Sequence, residues 1–476
     1  MDGGLSERGE GYHAECGQGH ALSYPCGEAV VRSCRERAKL PAVKGKETTR
    51  AGLGWLWACM AWFMAFAAAY AFTNPPGEAP DEHWHLAYAN YLAEHRELPV
   101  QTDPARHVDQ GHHFPLYYLT AAALIRLVDG DGRVDPGFEP NSAFIAYGGG
   151  RGDVPRFQSR PANGDLGSFR VLRLLGVFFG ALTVLFVGLA ARQVLPEGPW
   201  MLAPAFVAGI PQFQFVSAAV SNDSLMTATA ALVTWMLIRA IEKPEPKRWI
   251  ALGFATGLAI WAKKSNLVLV PVGLLAALAS PGQGGYWKSV VLRWSAVLLP
   301  VLIVAGPLFL RQQIVYGDAL GNGMERATLP QLVDPKPITD RYFVRTFPSI
   351  TARSFVAHFG WMNVAVPTVS IAAHWFLSIL LGLLALTGLF DRGRRIITLV
   401  LLSAVAFAAA GLTWYNLTYT QAQGRLLYPA LAAMALLLAL GADRLKNWRP
   451  VIWIAMAIWL AVDVVGLVTN LRFYGR

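Results

Sequence analysis

The chain has 476 residues, of which 54% are hydrophobic and only 15% charged, and it carries a formal charge of +10. Soluble domains carry about 25% charged residues. This balance, laid out as long apolar blocks between short charged loops, therefore excludes an ordinary soluble enzyme and points to an all-α polytopic membrane protein. The lysines and arginines fall mainly in short inter-helix loops, where they set topology, so no nucleic-acid partner is expected.

Residues 1–50 show no apolar period and read as a disordered cytoplasmic tail, leaving a membrane domain over 51–476. The first apolar run starts too late and is too long for a signal peptide. Cys16, Cys26 and Cys34 lie in this tail without metal-site spacing, and Cys59 sits inside the first apolar run. Neither a disulfide framework nor a zinc site is expected.

The first span is 52–73. It opens into a long polar segment, 74–167, that starts "NPPGEAPDEHWHLAYANYLAEHRELPV". Within it Trp84, Tyr88, Tyr91 and Leu92 recur at helical spacing, which predicts a helix lying along the membrane surface. Asp81 stands at its N-cap position. It either caps backbone N–H groups or presents a carboxylate at the membrane boundary to take a proton from a hydroxyl or amine. Next comes "HVDQGHHFPLYY" (107–118), with His107, Asp109, His112 and His113. No pair has the i, i+4 spacing of a specific metal motif. Contact with a donor phosphate or sugar is favoured for His112 and His113, and a divalent metal is the lesser alternative.

Further apolar runs cover 168–193, 199–220, 222–241, 249–262, 265–280, 290–314, 368–390, 396–413, 425–441 and 449–468, giving about eleven spans. A run at 115–128 has only about 14 residues, short of the roughly 20 a span requires. Positive-inside counting decides its status. The basic stretches before helix 1, at 242–249, at 391–395 and at 443–449 all fall on the cytoplasmic side only if 115–128 does not cross. The segment 74–167, Asn222-Asp223, Lys263-Lys264, the loop 315–367 and "WYNLTYTQAQGR" (414–425) then share the outer face.

Several residues on that face have two readings. Asp223 is either a helix cap or a site carboxylate. Lys263 and Lys264, at the tip of a short-helix hairpin, anchor to lipid phosphate in general or bind the phosphate of one lipid substrate. Residues 343–367, with Arg345, Arg353 and His358 among aromatics, read as an interfacial amphipathic helix. Gln423 and Arg425 stand at the outer end of a helix, where an arginine snorkels or clamps phosphate. No nucleotide-binding or Ser-His-Asp motif is present.

Taken together, "PDEHWHLAYANYLAEHRELP", "HHFPLYYL" and "FRVLRLLGVFFGALTVLFVGLAAR" resemble the GT-C class of membrane glycosyltransferases, which includes the protein O-mannosyltransferases and lipid A aminoarabinose transferases. "PQFQFVSAAVSNDSL", "GLAIWAKKSNLVLVPVGLL", "FGWMNVAVP" and "QAQGRLLYPAL" are similar to an uncharacterised bacterial branch of this class. One departure is "HHFPL", where a His-Pro-Pro run is commoner. The resemblance covers nearly all of 52–470. It implies inverting transfer of a sugar from a polyprenyl-phosphate donor to a lipid, glycan or protein acceptor at the outer face of a bacterial cytoplasmic membrane. Asp81 would be the general base, and Glu82 would bind the acceptor, order the loop or assist a metal. Lys263, Lys264, Arg353 and Arg425 would be the cations that receive the departing phosphate, which needs no nucleotide cofactor.

Two readings from other classes compete. A flippase or transporter of a lipid-linked saccharide predicts related halves and ionisable residues near mid-membrane. The sequence reads as having neither. A structural subunit of an envelope complex predicts that Asp81 is dispensable.

Overall fold

The computed structural model describes residues 47–130, 132–144, 154–157, 164–280, 285–445 and 447–475. The tail expected at 1–50 lies outside the described residues up to position 46, and residues 47–50 already belong to the first helix. The chain divides into two units at Ala51/Gly52, and everything below concerns the unit from Gly52 onward.

Helix α1 (Glu47–Thr73) ends where Asn74, Pro75 and Pro76 follow. The segment after it then supplies α2 (Glu82–His95) and α3 (Leu116–Val128). At 13 residues α3 is too short to cross a bilayer. Its Tyr117, Tyr118, Ala121 and Ile125 are buried, sharing an apolar cluster with Leu86, Tyr88 and Leu92 of α2. The next long helix is α4 (Leu166–Val194).

Residues 199–220 depart from the expected single span. They form two seven-residue helices, α5 (Leu202–Ala208) and α6 (Pro211–Ser217). Pro211 has no N–H to continue the ladder, and it holds Ile210 extended at φ −108°, ψ 102°. The break is covered from within, because Gln214 Nε2 donates to the Ala208 carbonyl at 2.6 Å. Both helices are wholly buried, so this segment is core and does not face lipid.

Then come α7 (Asp223–Glu242) and the expected hairpin of α8 (Pro246–Ala262) and α9 (Leu269–Ala279), joined at Lys263 and a 3₁₀ turn, Lys264–Val268. The long α10 (Tyr286–Tyr316) crosses α8 closely: a Cβ on Gly253 would lie 2.4 Å from the Val297 carbonyl oxygen. Small residues at helix crossings permit such approach.

The loop beyond α10 contains α11 (Asn322–Thr328) and α12 (Phe347–Val356). The helix expected to run through 343–367 stops at Val356. It gives way to a two-stranded antiparallel hairpin, β1 (His358–Phe359) and β2 (Val364–Ala365), with His358 opposite Ala365. The remaining helices are α13 (Thr368–Ala385), α14 (Arg395–Asn416), α15 (Leu431–Ala442) after a 3₁₀ turn at Gly424–Ala430, and α16 (Arg449–Tyr474).

Among the described residues eight helical stretches are long and apolar enough to cross a membrane, against the eleven expected. The difference is the broken 199–220 segment and the two shorter arms of the hairpin. Two loops expected on one side do meet: Arg394 pairs with Asp443, and Arg444 with Asp391 at 3.2 Å. An ionisable side chain does stand mid-helix, contrary to the sequence reading. Asp463 of α16 is fully buried, accepting from Trp62 Nε1 at 2.7 Å and Gln214 Nε2 at 2.9 Å.

Candidate active site

The stretch 74–82 leaves α1 with carbonyls that have no helical partner, and its three prolines, Pro75, Pro76 and Pro80, offer no N–H in exchange. One side chain from α4 resolves this. Arg173 donates to the carbonyls of Ala71 (3.1 Å), Asn74 (2.7 Å) and Pro75 (3.0 Å). The same guanidinium grips Glu82 through Nε at 2.8 Å and Nη2 at 2.7 Å. Glu82 also accepts from the backbone N–H groups of Gly77 and Val220, each at 3.0 Å, and is 0% exposed. Gly77 is required where it stands: its φ is +82°, and a Cβ there would lie 2.8 Å from the Phe157 ring.

Two further residues fasten the stretch. Glu78 accepts from the Phe157 N–H at 2.6 Å and from the Tyr474 hydroxyl at 2.9 Å. Asn470 donates to Asn74 at 2.6 Å. The last turns of α16 thus hold the start of the segment between α1 and α2. Burial pushes the Glu78 carboxyl up to about 7, against its hydrogen bonds and nearby Arg156.

Asp81 departs from its neighbours. Its backbone is left-handed, at φ 66° and ψ 4°, and its side chain makes no capping bond to α2. The capping reading is therefore corrected: the carboxylate turns away from the helix and meets Arg425 Nη2 at 3.0 Å. Aspartate tolerates this region better than most residues, and it persists because both flanks are clamped.

Arg425 rises from the 3₁₀ turn before α15. Its Nε donates to Gln423 at 2.6 Å, and its Nη1 meets Asp223 Oδ2 at 3.0 Å. The other Asp223 oxygen takes Lys263 Nζ. Asp81, Arg425, Asp223 and Lys263 thus form one alternating chain of charge, drawn from four separated parts of the sequence. Lys264 diverges from its neighbour. It donates to the Leu320 carbonyl (2.8 Å) and Asn322 (3.2 Å) and lies 3.8 Å from Glu325. Asn222, which stands just before α7, makes no capping bond, and its buried amide has no partner among the described residues.

The histidines surround the cluster without joining it. His85, one turn beyond Asp81, shares a 2.7 Å hydrogen bond with the Tyr118 hydroxyl. The Nδ1 of His112 is held by Gln101 Oε1 at 2.7 Å, and the His113 ring centre is 4.3 Å from that of His112. Burial pushes both His85 and His112 down to about 3, which leaves them neutral at ordinary pH. Gln101 also donates to Thr328 at 2.8 Å, tying the segment between α2 and α3 to α11. Among the described residues no set of three His, Cys, Asp or Glu converges to hold a metal ion.

Of the expected site residues, Asp81, Asp223, Lys263 and Arg425 are brought together. Lys264 and His112 lie at the margin of the group, and Glu82 is beside it but fully occupied by structural bonds. Arg353 is not brought there: it is exposed, and its polar partner is Thr368 at 3.3 Å. The sequence reading quoted Arg173 only as part of a motif and passed over Glu78, Asn470 and Tyr474. The available signal was an arginine inside one apolar run and an asparagine just past the end of another, where polar groups are costly and seldom idle.

Comparison with known proteins gives a consistent outcome. The family described as dolichyl-phosphate-mannose-protein mannosyltransferase matches residues 165–309, a stretch holding Arg173, Asp223, Lys263 and Lys264 but neither Asp81 nor Arg425. The lipopolysaccharide core galacturonosyltransferase RgtA of Rhizobium johnstonii is 26% identical over 152 residues, 29% of this chain and 30% of that protein. ArnT of Cupriavidus metallidurans, solved bound to undecaprenyl phosphate, superposes with a TM-score of 0.53 at 13% identity, over 86% of this chain and 63% of ArnT. The oligosaccharyltransferase of Archaeoglobus fulgidus, solved with a tethered acceptor peptide, gives 0.50 at 11% identity, over 88% of this chain and 55% of that one. At such identities the structural likeness establishes a shared fold.

Proposed function

We propose, starting from a chain that has the GT-C membrane glycosyltransferase fold its sequence resembled, that it transfers a sugar from a polyprenyl-phosphate donor to an envelope acceptor. The transfer takes place at the outer face of the membrane, and Asp81 is the general base. One observation carries the reading: Asp81 is released from its helix and bonded to Arg425, in a chain that continues to Asp223 and Lys263. A merely structural aspartate at a helix start would cap it.

The chemistry follows from that pairing. Arg425 and Lys263 are already desolvated and held, so a donor phosphate that competes for them meets preorganised cations. When Arg425 turns to phosphate, Asp81 is left free to accept a proton. The acceptor O–H or N–H gives its proton to Asp81 as the heteroatom bonds to the anomeric carbon. The bond from that carbon to the phosphate oxygen breaks, and the polyprenyl phosphate departs with the electron pair. A single displacement inverts the anomeric centre. Lys264, His112 and His113 line the approach, and Glu82 orders the loop that presents Asp81. Support for this class of donor and acceptor comes from ArnT, solved with undecaprenyl phosphate, and from RgtA, named as a lipopolysaccharide core transferase.

The transporter reading has one observation in its favour, the buried Asp463. Its bonds to Trp62 and Gln214 lie within packed core, and the charged cluster gathers at the helix ends instead. The deciding experiment is transfer of radiolabel from a polyprenyl-phosphate sugar in membranes carrying Asp81→Asn. Transfer is expected to be lost while the protein inserts normally, and retained transfer would sink the mechanism. Sidedness is tested in a cysteine-free background with an impermeant thiol reagent. Ala105→Cys, at an exposed position of the segment 74–167, should label from outside and the exposed Lys247→Cys should not.

A further inference from the structure

Helix α2 has two polar faces. His85, one turn after Asp81, lies on the side of the ion-pair chain, within the field of Asp81, Lys263, Asp223 and Arg425. His83, Ala87, Asn90 and Glu94, at i, i+4, i+7 and i+11, form the opposite face and line a separate cleft of about 540 Å³. Its far wall is the chain at 133–139, and His107 stands at its edge. The volume falls within the range of about 300–1,000 Å³ usual for small-molecule sites.

The cleft is built into the fold. The Asn90 amide bonds the Val134 backbone in both directions, at 2.8 Å and 3.1 Å, which fixes the distance between the walls. Leu86, Tyr91 and Phe138 supply apolar and aromatic surface. Glu94, Asp135 and Glu139 supply carboxylates, against Arg133, which lies 4.0 Å from Glu94, and Arg156, which stacks over Trp361 at 3.6 Å and acts on His83. The His83 Nδ1 is buried without a partner, and its ring is boxed by Trp84, Phe157 and Trp361. Burial pushes His83 down to about 4, so it is a neutral hydrogen-bonding group at ordinary pH and not a cation.

From this geometry we infer that the cleft is a second ligand site, which holds the non-reacting part of the acceptor as an uncharged or amine-bearing saccharide. Carboxylates only accept hydrogen bonds and so suit hydroxyl and ammonium donors, whereas an acidic lining repels phosphate. Aromatic and apolar walls fit the C–H faces of sugar rings. The cleft starts at His83, in the first turn of α2 and on the opposite face from Asp81, so a saccharide seated here reaches the base with its next unit by extending around the N-terminal end of the helix. This inference rests on the proposed transfer reaction and adds to it the chemical class of the acceptor.

The test uses the full-length protein in nanodiscs, with maltose, a glucosamine disaccharide and inorganic phosphate as calorimetric probes. At least one disaccharide is expected to bind at millimolar concentration or below, and phosphate is not expected to displace it. Ala87→Trp, on an exposed turn of α2, fills the cleft and should weaken that binding about tenfold or more, equivalent to about 1.4 kcal/mol. Glu94→Gln should weaken it less, and Asp81→Asn should leave it unchanged. Absence of disaccharide binding, unchanged binding in Ala87→Trp, or displacement by phosphate overturns the proposal. The two readings fail separately. Retained transfer in Asp81→Asn removes the base and leaves the cleft standing, whereas unchanged disaccharide binding in Ala87→Trp removes the cleft and leaves the base.

Discussion

Asp81 and Glu82 are neighbours in sequence, yet they belong to two physically different regions. Glu82 is sealed, bonded on both oxygens and matched by Arg173, itself only 2% exposed. The Asp81 side chain keeps 27% of its surface, has one ion-pair partner among the described residues and sits on a left-handed backbone. A buried carboxylate with every acceptor site filled holds structure together and has no capacity left for chemistry. A partly exposed carboxylate whose only partner is a competing cation can exchange that partner. The strain at Asp81 is sustained by the rigidity next to it, so the clamped region is what makes the reactive one possible.

That contrast can be broken most sharply by exchanging which acid is lost. Asp81→Asn should lower transfer by about 10²–10⁴-fold, the usual contribution of a general base. It should change stability by no more than about 1 kcal/mol, because Arg425 keeps Asp223. Glu82→Ala should do the reverse in kind. It leaves Arg173 buried and uncompensated, costing about 3–5 kcal/mol, seen as a large fall in thermal midpoint in detergent before any kinetic measurement. If both variants lose stability equally, the two regions are not distinct.

A smaller effect comes from pH. Glu78 titrates near 7 when folded against 4.5 as the isolated group, so the folded state holds its proton more tightly. A carboxyl shifted upward contributes stability that is fully present below 4.5 and is lost as pH rises toward 7, by on the order of 3 kcal/mol. Glu78→Gln should flatten the thermal midpoint across that window. Tyr474→Phe removes one hydrogen bond to Glu78 and should cost about 1 kcal/mol. The smallest effect is expected at Arg353. Arg353→Ala should alter stability by less than about 0.5 kcal/mol and leave the KM for donor unchanged, since Arg353 stands apart from the cluster.

The outcome for each residue follows from the kind of information that specified it. Composition and apolar period fixed an all-α membrane protein, and charge counting placed the ionisable residues together, because solvation by lipid or water acts on each segment independently. The hairpin at Lys263 and the short α3 were legible for the same reason. Local chemistry also favoured a cap at Asp81, and there the tertiary structure overruled it. Whether a carboxylate caps, clamps or reacts depends on which distant donor reaches it first, and Arg173 and Arg425 lie 91 and 344 residues away from their partners. The sequence by itself determined that an acid pair would stand where the first helix leaves the membrane. Only the packed helices decided which acid would be spent on structure and which would be left able to exchange its partner.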